Sequence, residues 1–321
     1  MGNLAKKILK HDIKAASKLI RLVEDELSEA NRELQELYRH TGNSHIIGIT
    51  GLPGSGKSTI INNLLQSFRR QNKSIGVIAI DPSSPFSGGS ILGDRIRLMD
   101  HSMDEEILVK SIATRGWKGG VSKTTIGIIN VMDALGKDII LIETAGVGQT
   151  EIDIMNLSHT TIVVLVPEMG DYIQTMKAGI LEIANILVIN KSDKDKQNVL
   201  AQNLNVMVDL EKKLNNSKWK TPVISTEATT TKGMKELFES IQKHIDFFRD
   251  TKFSEYLFRR AIYEIEVEIN SIIRDIYSIK IKNSEAMNVV IKSLILKKTS
   301  PRDAALKILK EHNLNSYLNK I

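Results

Sequence analysis

The sequence contains no cysteine. Disulfides, iron–sulfur ligation and thiolate zinc sites are therefore excluded, and the chain suits a reducing compartment. No apolar stretch approaches the length of a membrane span; the longest, around Thr161 to Pro167, is strand-sized. The start, MGNLAKKILK, lacks the apolar core of a secretion signal, and Lys6 stands where a myristoylation signal requires Ser or Thr. Neither sign of charge dominates. Lys and Arg number 44 against 38 Asp and Glu, and residues 252–321, with 13 basic and 8 acidic residues, hold most of the net +6. So mild an excess reads as solvation or a docking face for an acidic partner, not as a nucleic-acid surface. Repeats and low-complexity segments are absent. What remains is a globular balance, 41% hydrophobic and 26% charged over 321 residues, enough for a sizeable core without covalent staples. These absences predict a soluble, cytoplasmic protein with no membrane and no nucleic-acid partner.

Three parts are legible along the chain. Residues 1–43 are helical, with Val23, Leu27, Ala30, Leu34 and Leu37 at steps of four and three, predicting one packing face before Thr41-Gly42-Asn43 stops the helix. Residues 44–250 alternate short Ile/Val-rich runs with helix-length segments. The runs are HIIGIT, SIGVIAI, EILVKSI, DIILIE, TTIVVLV, NILVIN and TPVIS. They show little polar alternation, as strands buried on both faces do, and their spacing predicts right-handed crossovers. A doubly wound, mostly parallel α/β domain is expected. Residues 251–321 return to helical periodicity, with Phe258, Ile262, Ile265, Ile269, Ile272 and Ile276 in one stripe. Ser300-Pro301-Arg302-Asp303 reads as a capped helix start. Helices with such faces need a partner surface, either the α/β domain or a second copy of the chain.

The first chemical motif follows the first strand. Gly51-Leu52-Pro53-Gly54-Ser55-Gly56-Lys57-Ser58-Thr59 is a complete Walker A loop between a strand and a helix. Its glycines let main-chain N–H groups approach phosphate oxygens, and the following helix offers its positive end to the anion. Lys57 is placed for the β- and γ-phosphates, and the Ser58 hydroxyl for Mg²⁺. The pattern points to a P-loop nucleotide-binding domain.

The base is indicated by Asn190-Lys191-Ser192-Asp193, at the end of NILVIN. A carboxylate such as Asp193 accepts from guanine N1–H and the 2-amino group, a donor pair adenine lacks. Asn190 can bond the base edge and the Lys191 stem can cover the ring, so GTP is preferred to ATP. Glu143 ends the strand DIILIE and is a Mg²⁺ candidate, directly or through water. Gly146 can give its N–H to the γ-phosphate. Gln149 is a candidate for orienting the attacking water. Asp81 and Asp94 bound or lie in a polar loop too long for a simple turn, and either can serve the Mg²⁺ shell or position water. Arg95 is a candidate phosphate contact. None of the seven histidines is assigned to a metal.

Together ITGLPGSGKST, IDPSSPFSGGSILGDRIRL, ATRGWKGG, IETAGVGQTE, PEMGDYIQTMKAGILEIA and INKSD resemble the MeaB/ArgK-type P-loop GTPases, chaperones associated with methylmalonyl-CoA mutase. The resemblance covers essentially the whole chain. It implies GTP and Mg²⁺ binding, slow hydrolysis to GDP, and a homodimer formed through the C-terminal extension. It also implies a partner, an adenosylcobalamin-dependent acyl-CoA mutase whose cofactor loading the protein gates and which it protects or reactivates. Adenosylcobalamin is then met only through that partner. By the resemblance, Asp81, Asp94 and Glu143 fall on the acidic Mg²⁺ and switch residues. The segment Gly146 to Glu151, including Gly148 and Gln149, falls on the second switch, and Asp171 to Lys177 on a third that reports nucleotide state to the mutase. Ala228 falls on the last guanine loop, where its backbone N–H can meet the guanine oxygen. Glu227 stands before it where the family usually carries Ser. The client can equally be an isobutyryl-, ethylmalonyl- or 2-hydroxyisobutyryl-type mutase. An ATPase or kinase coupled to basic amino-acid transport is a competing role, which Asp193 opposes. A nickel-insertion GTPase would want Cys or clustered His, and an RNA-associated targeting GTPase a methionine-rich groove or a strong basic patch.

Overall fold

The computed structural model describes residues 2–81, 104–113, 120–144, 156–167, 183–192, 197–215 and 218–311. Each of the seven apolar runs forms a strand: β1 (His45–Gly51), β2 (Ile75–Asp81), β3 (Ile107–Ala113), β4 (Ile139–Thr144), β5 (Thr160–Leu165), β6 (Ile186–Asn190) and β7 (Val223–Thr226). They make one sheet in the order β3-β2-β4-β1-β5-β6-β7, and every neighbouring pair is parallel. β1, β4, β5 and β6 are buried at every position, which is why their sequences lack polar alternation.

Successive residues of β1 serve two cores. Ile46 packs with Ile78, Ile140 and Ile142 against the N-terminal helices α1 (Asn3–Ile8), α2 (Ile13–Glu24) and α3 (Ser28–Leu37) and against α5 (Gly120–Ala134). Ile47 and Ile49 pack with Leu141 and Ile162 against α4 (Lys57–Arg69) and α7 (Met234–Thr251). A smaller cluster joins β5 and β6 to α6 (Gln197–Asn215) through Leu187, Leu200 and Leu204.

The predicted face Val23 to Leu37 is not carried by one helix. The chain breaks between α2 and α3, where Glu26 adopts a left-handed φ of 52° and Leu27 becomes the N-cap of α3. Leu27 is consequently exposed, while Val23, Ala30 and Leu37 remain buried. The segment that follows is tied down by Asp133 of α5, whose carboxylate accepts from the N–H groups of Gly42, Asn43 and Ser44 at 2.6, 3.1 and 3.0 Å.

The edge of the sheet holding the strand N-termini carries a buried imidazole–aromatic cluster. The Thr160 hydroxyl lies 2.8 Å from both His45 Nε2 and His244 Nδ1, and His159 Nδ1 accepts from Ile46 N–H at 2.9 Å. Phe248 and Tyr256 pack on the His159 ring, and the Tyr256 hydroxyl donates to Leu157 O at 2.9 Å.

The chain divides into two compact units, Met1–Tyr263 and Glu264–Ile321. The stripe beginning at Phe258 lies on one long helix, α8 (Phe253–Ile276), followed by a π-turn at Tyr277–Ile281. In the second unit α9 (Glu285–Ile295) and α10 (Pro301–Glu311) share a small core of Ile281, Val290, Ala304 and Ile308. The start of α10 is capped as its sequence predicts: Asp303 N–H donates to Ser300 Oγ at 3.2 Å, and that hydroxyl donates to Asp303 Oδ2 at 2.7 Å. No helix among the described residues is long and apolar enough to cross a membrane.

Candidate functional site

In an all-parallel sheet every strand ends on the same edge, and β1 lies where the chain turns first one way along the sheet and then the other. The Walker A loop leaves β1 at that point. Gly51, Gly54 and Gly56 have φ of 144°, 75° and 92°, which a side chain would strain. A Cβ at Gly51 would strike Val164 O, and one at Gly56 would strike Asn190 Nδ2. Pro53 is exposed, whereas Ser55 is fully buried with a hydroxyl that has no hydrogen-bond partner among the described residues. The loop enters α4 at Lys57, with Ser58 and Thr59 in its first turn.

Lys57 and Ser58 are both buried, and Lys57 Nζ donates to Gly51 O at 2.7 Å and to Leu52 O at 3.0 Å. The Ser58 hydroxyl donates to Glu143 Oε1 at 2.8 Å. Register explains this pairing, since Glu143 on β4 lies opposite Ile49 on β1, one residue short of the strand's end at Thr144. The Thr144 hydroxyl donates to Thr50 Oγ1 at 2.9 Å, which locks the two strand ends together beneath the loop. Asp81 ends β2 on the same edge, one step past the Ile80–Thr144 pair, and only its main chain is described.

The segment Asn190-Lys191-Ser192 begins two strands away, at the end of β6. Asn190 ends β6, is buried, and links three segments. Its Nδ2 donates to Ser55 O at 2.8 Å, while its Oδ1 accepts from Thr226 Oγ1 at 3.1 Å and from Ala228 N–H at 3.2 Å. Lys191 follows with a left-handed φ of 59°. Non-glycine residues store strain there, a feature that clusters at ligand sites. After β7, Glu227 and Lys232 form an antiparallel bridge closed by Glu227 N–H donating to Lys232 O at 3.0 Å. Glu227 thus serves this loop through its backbone.

Of the residues singled out from sequence, the structure brings Gly51 to Thr59, the main chain of Asp81, Glu143, Asn190, Lys191 and Ala228 to one edge. Asp94, Arg95, Gly146, Gly148, Gln149, Asp171, Lys177 and Asp193 lie outside the described residues. Sequence reasoning missed Thr50, Thr144, Thr226 and Asn63. Asn63, on α4, donates from Nδ2 to Ala228 O at 2.8 Å. Nothing in the local sequence singles Asn63 out, since the helix Lys57–Arg69 also carries Ser, Thr, Gln and Arg.

The family profile described as methylmalonyl Co-A mutase-associated GTPase MeaB matches residues 16–281. The chain belongs to the MeaB family. It is a P-loop GTPase, and hydrolysis of GTP is its activity. A Pyrococcus horikoshii protein named as a GTPase is 43% identical over 97% of this chain and 98% of its own length. The Escherichia coli GTPase ArgK is 33% identical over 67% of this chain and 64% of its own. A mouse protein, methylmalonic aciduria type A homolog, mitochondrial, is 35% identical over 61% of this chain and 48% of its own. Among solved structures, the crystal structure of LAO/AO transport system kinase superposes with a TM-score of 0.67 at 18% identity, covering 97% of this chain and 96% of the other. At that identity the likeness establishes a shared fold.

Proposed function

We propose that this MeaB-family GTPase is a nucleotide-driven switch serving an adenosylcobalamin-dependent acyl-CoA mutase, methylmalonyl-CoA mutase foremost, gating cofactor loading and protecting or reactivating the enzyme. The observation that carries the site assignment is the convergence of Lys57, Ser58, Glu143 and Asn190 at one sheet edge. The family description and the mouse relative's name support the client.

In this reading the loop N–H groups and Lys57 bind the phosphates, and the orphan hydroxyl of buried Ser55 marks the loop as built around a polar ligand. Ser58 and Glu143 supply hard oxygen donors suited to Mg²⁺, with Asp81 and Asp94 as further candidates. The ion, when bound, neutralises charge on the β- and γ-phosphates. Water adds to the γ-phosphorus as its bond to the β-phosphate oxygen breaks, giving GDP and phosphate. Gly146 offers an N–H to the γ-phosphate, and Gln149 or an acidic residue orients the water. Asn190, Lys191, Asp193 and Ala228 hold guanine. The segment from Gly146 through Gly148 and Gln149, and that from Asp171 to Lys177, relay nucleotide state to the mutase. The exposed apolar stripe of α8 supports a homodimer through the C-terminal extension.

The test is hydrolysis by the purified full chain, alone and with a panel of cobalamin-dependent acyl-CoA mutases, with ATP as control. Slow, GTP-selective turnover that one mutase accelerates is expected. Turnover indifferent to every mutase would remove the chaperone role.

A further inference from the structure

Asn63 lies on α4 less than two turns past Lys57, on the helix that presents the phosphate loop. Its side-chain Nδ2 donates to Thr59 O at 3.0 Å and to Ala228 O at 2.8 Å. Both partners are carbonyls, which only accept, so the network itself fixes which end of the amide faces them. Ala228 is buried, and its own N–H is held by Asn190 Oδ1 at 3.2 Å. Asn190 in turn donates to Ser55 O at 2.8 Å.

These bonds close a ring. It runs from the phosphate loop at Ser55 through Asn190 to the N–H of Ala228, through that residue to its carbonyl, and back by Asn63 to the phosphate-binding helix. We infer that Asn63 is a positioning residue for base recognition, holding the Ala228 backbone at the depth where its N–H, bonded to Asn190 Oδ1 in the structure, is shared with or passed to the guanine O6. The inference rests on the proposed placement of guanine between Asn190, Asp193 and Ala228. Without the Asn63 amide, the buried carbonyl of Ala228 loses its partner and is re-solvated by moving the loop outward, which carries the N–H away from O6. The two carbonyl bonds differ in consequence. Thr59 is an ordinary helical residue whose carbonyl keeps its place without Asn63, whereas residue 228 sits in a loop anchored at a few points.

The chemistry of three nucleotides tests this. Guanine and hypoxanthine share O6, and adenine lacks it. Hypoxanthine lacks the 2-amino group that Asp193 is proposed to read. Binding of GDP, IDP and ADP is measured by titration calorimetry on the full chain with Mg²⁺ present. Asn63→Ala is expected to weaken GDP and IDP by a similar factor, roughly 5- to 10-fold, with ADP little changed, so that discrimination against ADP falls. Asn63→Asp keeps the shape and removes the donor, so it should lose at least as much; recovery of wild-type binding in that variant would overturn the inference. So would an equal loss for all three nucleotides, which marks a general loosening of α4, or an unchanged GDP-to-ADP ratio. Asp193→Asn separates the two layers, since it should narrow the gap between GDP and IDP. If that gap is unmoved, or if the wild type binds ADP as well as GDP, the guanine assignment itself fails, whatever Asn63 does.

Discussion

At Lys57 the ammonium is buried against the Gly51 and Leu52 carbonyls, so its charge is held at the loop before any phosphate is considered. Lys57→Ala should therefore remove a preorganised cation, not a flexible one. Hydrolysis should fall on the order of 100-fold or more, with GTP affinity also reduced, and thermal stability should stay close to wild type. Near wild-type turnover in that variant would refute the assignment of the site. That Lys57, Ser58, Glu143 and Asn190 meet at one edge was legible in the sequence, because each sits in or beside a motif at the end of a strand and parallel strands end together. Asn63 was not legible. Its partner Ala228 is 165 residues away, and an asparagine on a helix carries no local mark of what it will meet.

Among the elements, the seven strands announced themselves through uninterrupted Ile and Val, and α8 through its stripe. The break between α2 and α3 did not, because Glu26 takes a left-handed turn that its identity does not advertise and the apolar spacing runs straight through it. The strand N-termini held another surprise, the cluster of His45, His159 and His244. Burial drives the His45 pKa down to about 3 and that of His244 to about 4, and it also holds His159 well below its usual value. The neighbouring cations Arg249 and Arg260 add to the shifts, Arg249 on His45 and His159 and Arg260 on His159. These histidines are neutral in the fold and protonate in the unfolded chain below about pH 6.5. The unfolded state then binds more protons, so their contribution is complete above that pH and is lost as pH falls toward the folded values. Each can withdraw up to about 1.4 kcal/mol per pH unit inside that window. The unfolding temperature should be nearly level from pH 8 to 7 and fall clearly between pH 6.5 and 5; a flat profile across the lower range would mean that the cluster is hydrated or partnered.

For the whole molecule, the C-terminal helices raise the question of what covers them. Phe258, Ile265, Ile269, Ile272 and Ile273 on α8 are at least half exposed, as are Ile279, Val289 and Ile295 beyond it, which is far more than scattered surface apolarity. If a second copy covers them, Ile265→Glu combined with Ile272→Glu should convert a dimer to a monomer in sedimentation velocity while leaving nucleotide binding in place. A dimer that survives both charges would move the interface elsewhere. The sequence by itself determined the α/β class, the seven strands and the strand-end position of the Walker A loop, because continuous burial and a glycine-rich turn into a helix each demand particular residues at short range. Only the tertiary structure decided that Ser58 would meet Glu143, that Asn190 and Asn63 would clasp Ala228 from two sides, and that three histidines would share one buried cluster. Those pairings depend on parallel strands that begin at one common edge and end at the other, which brings together residues whose separation along the chain carries no trace of their contact.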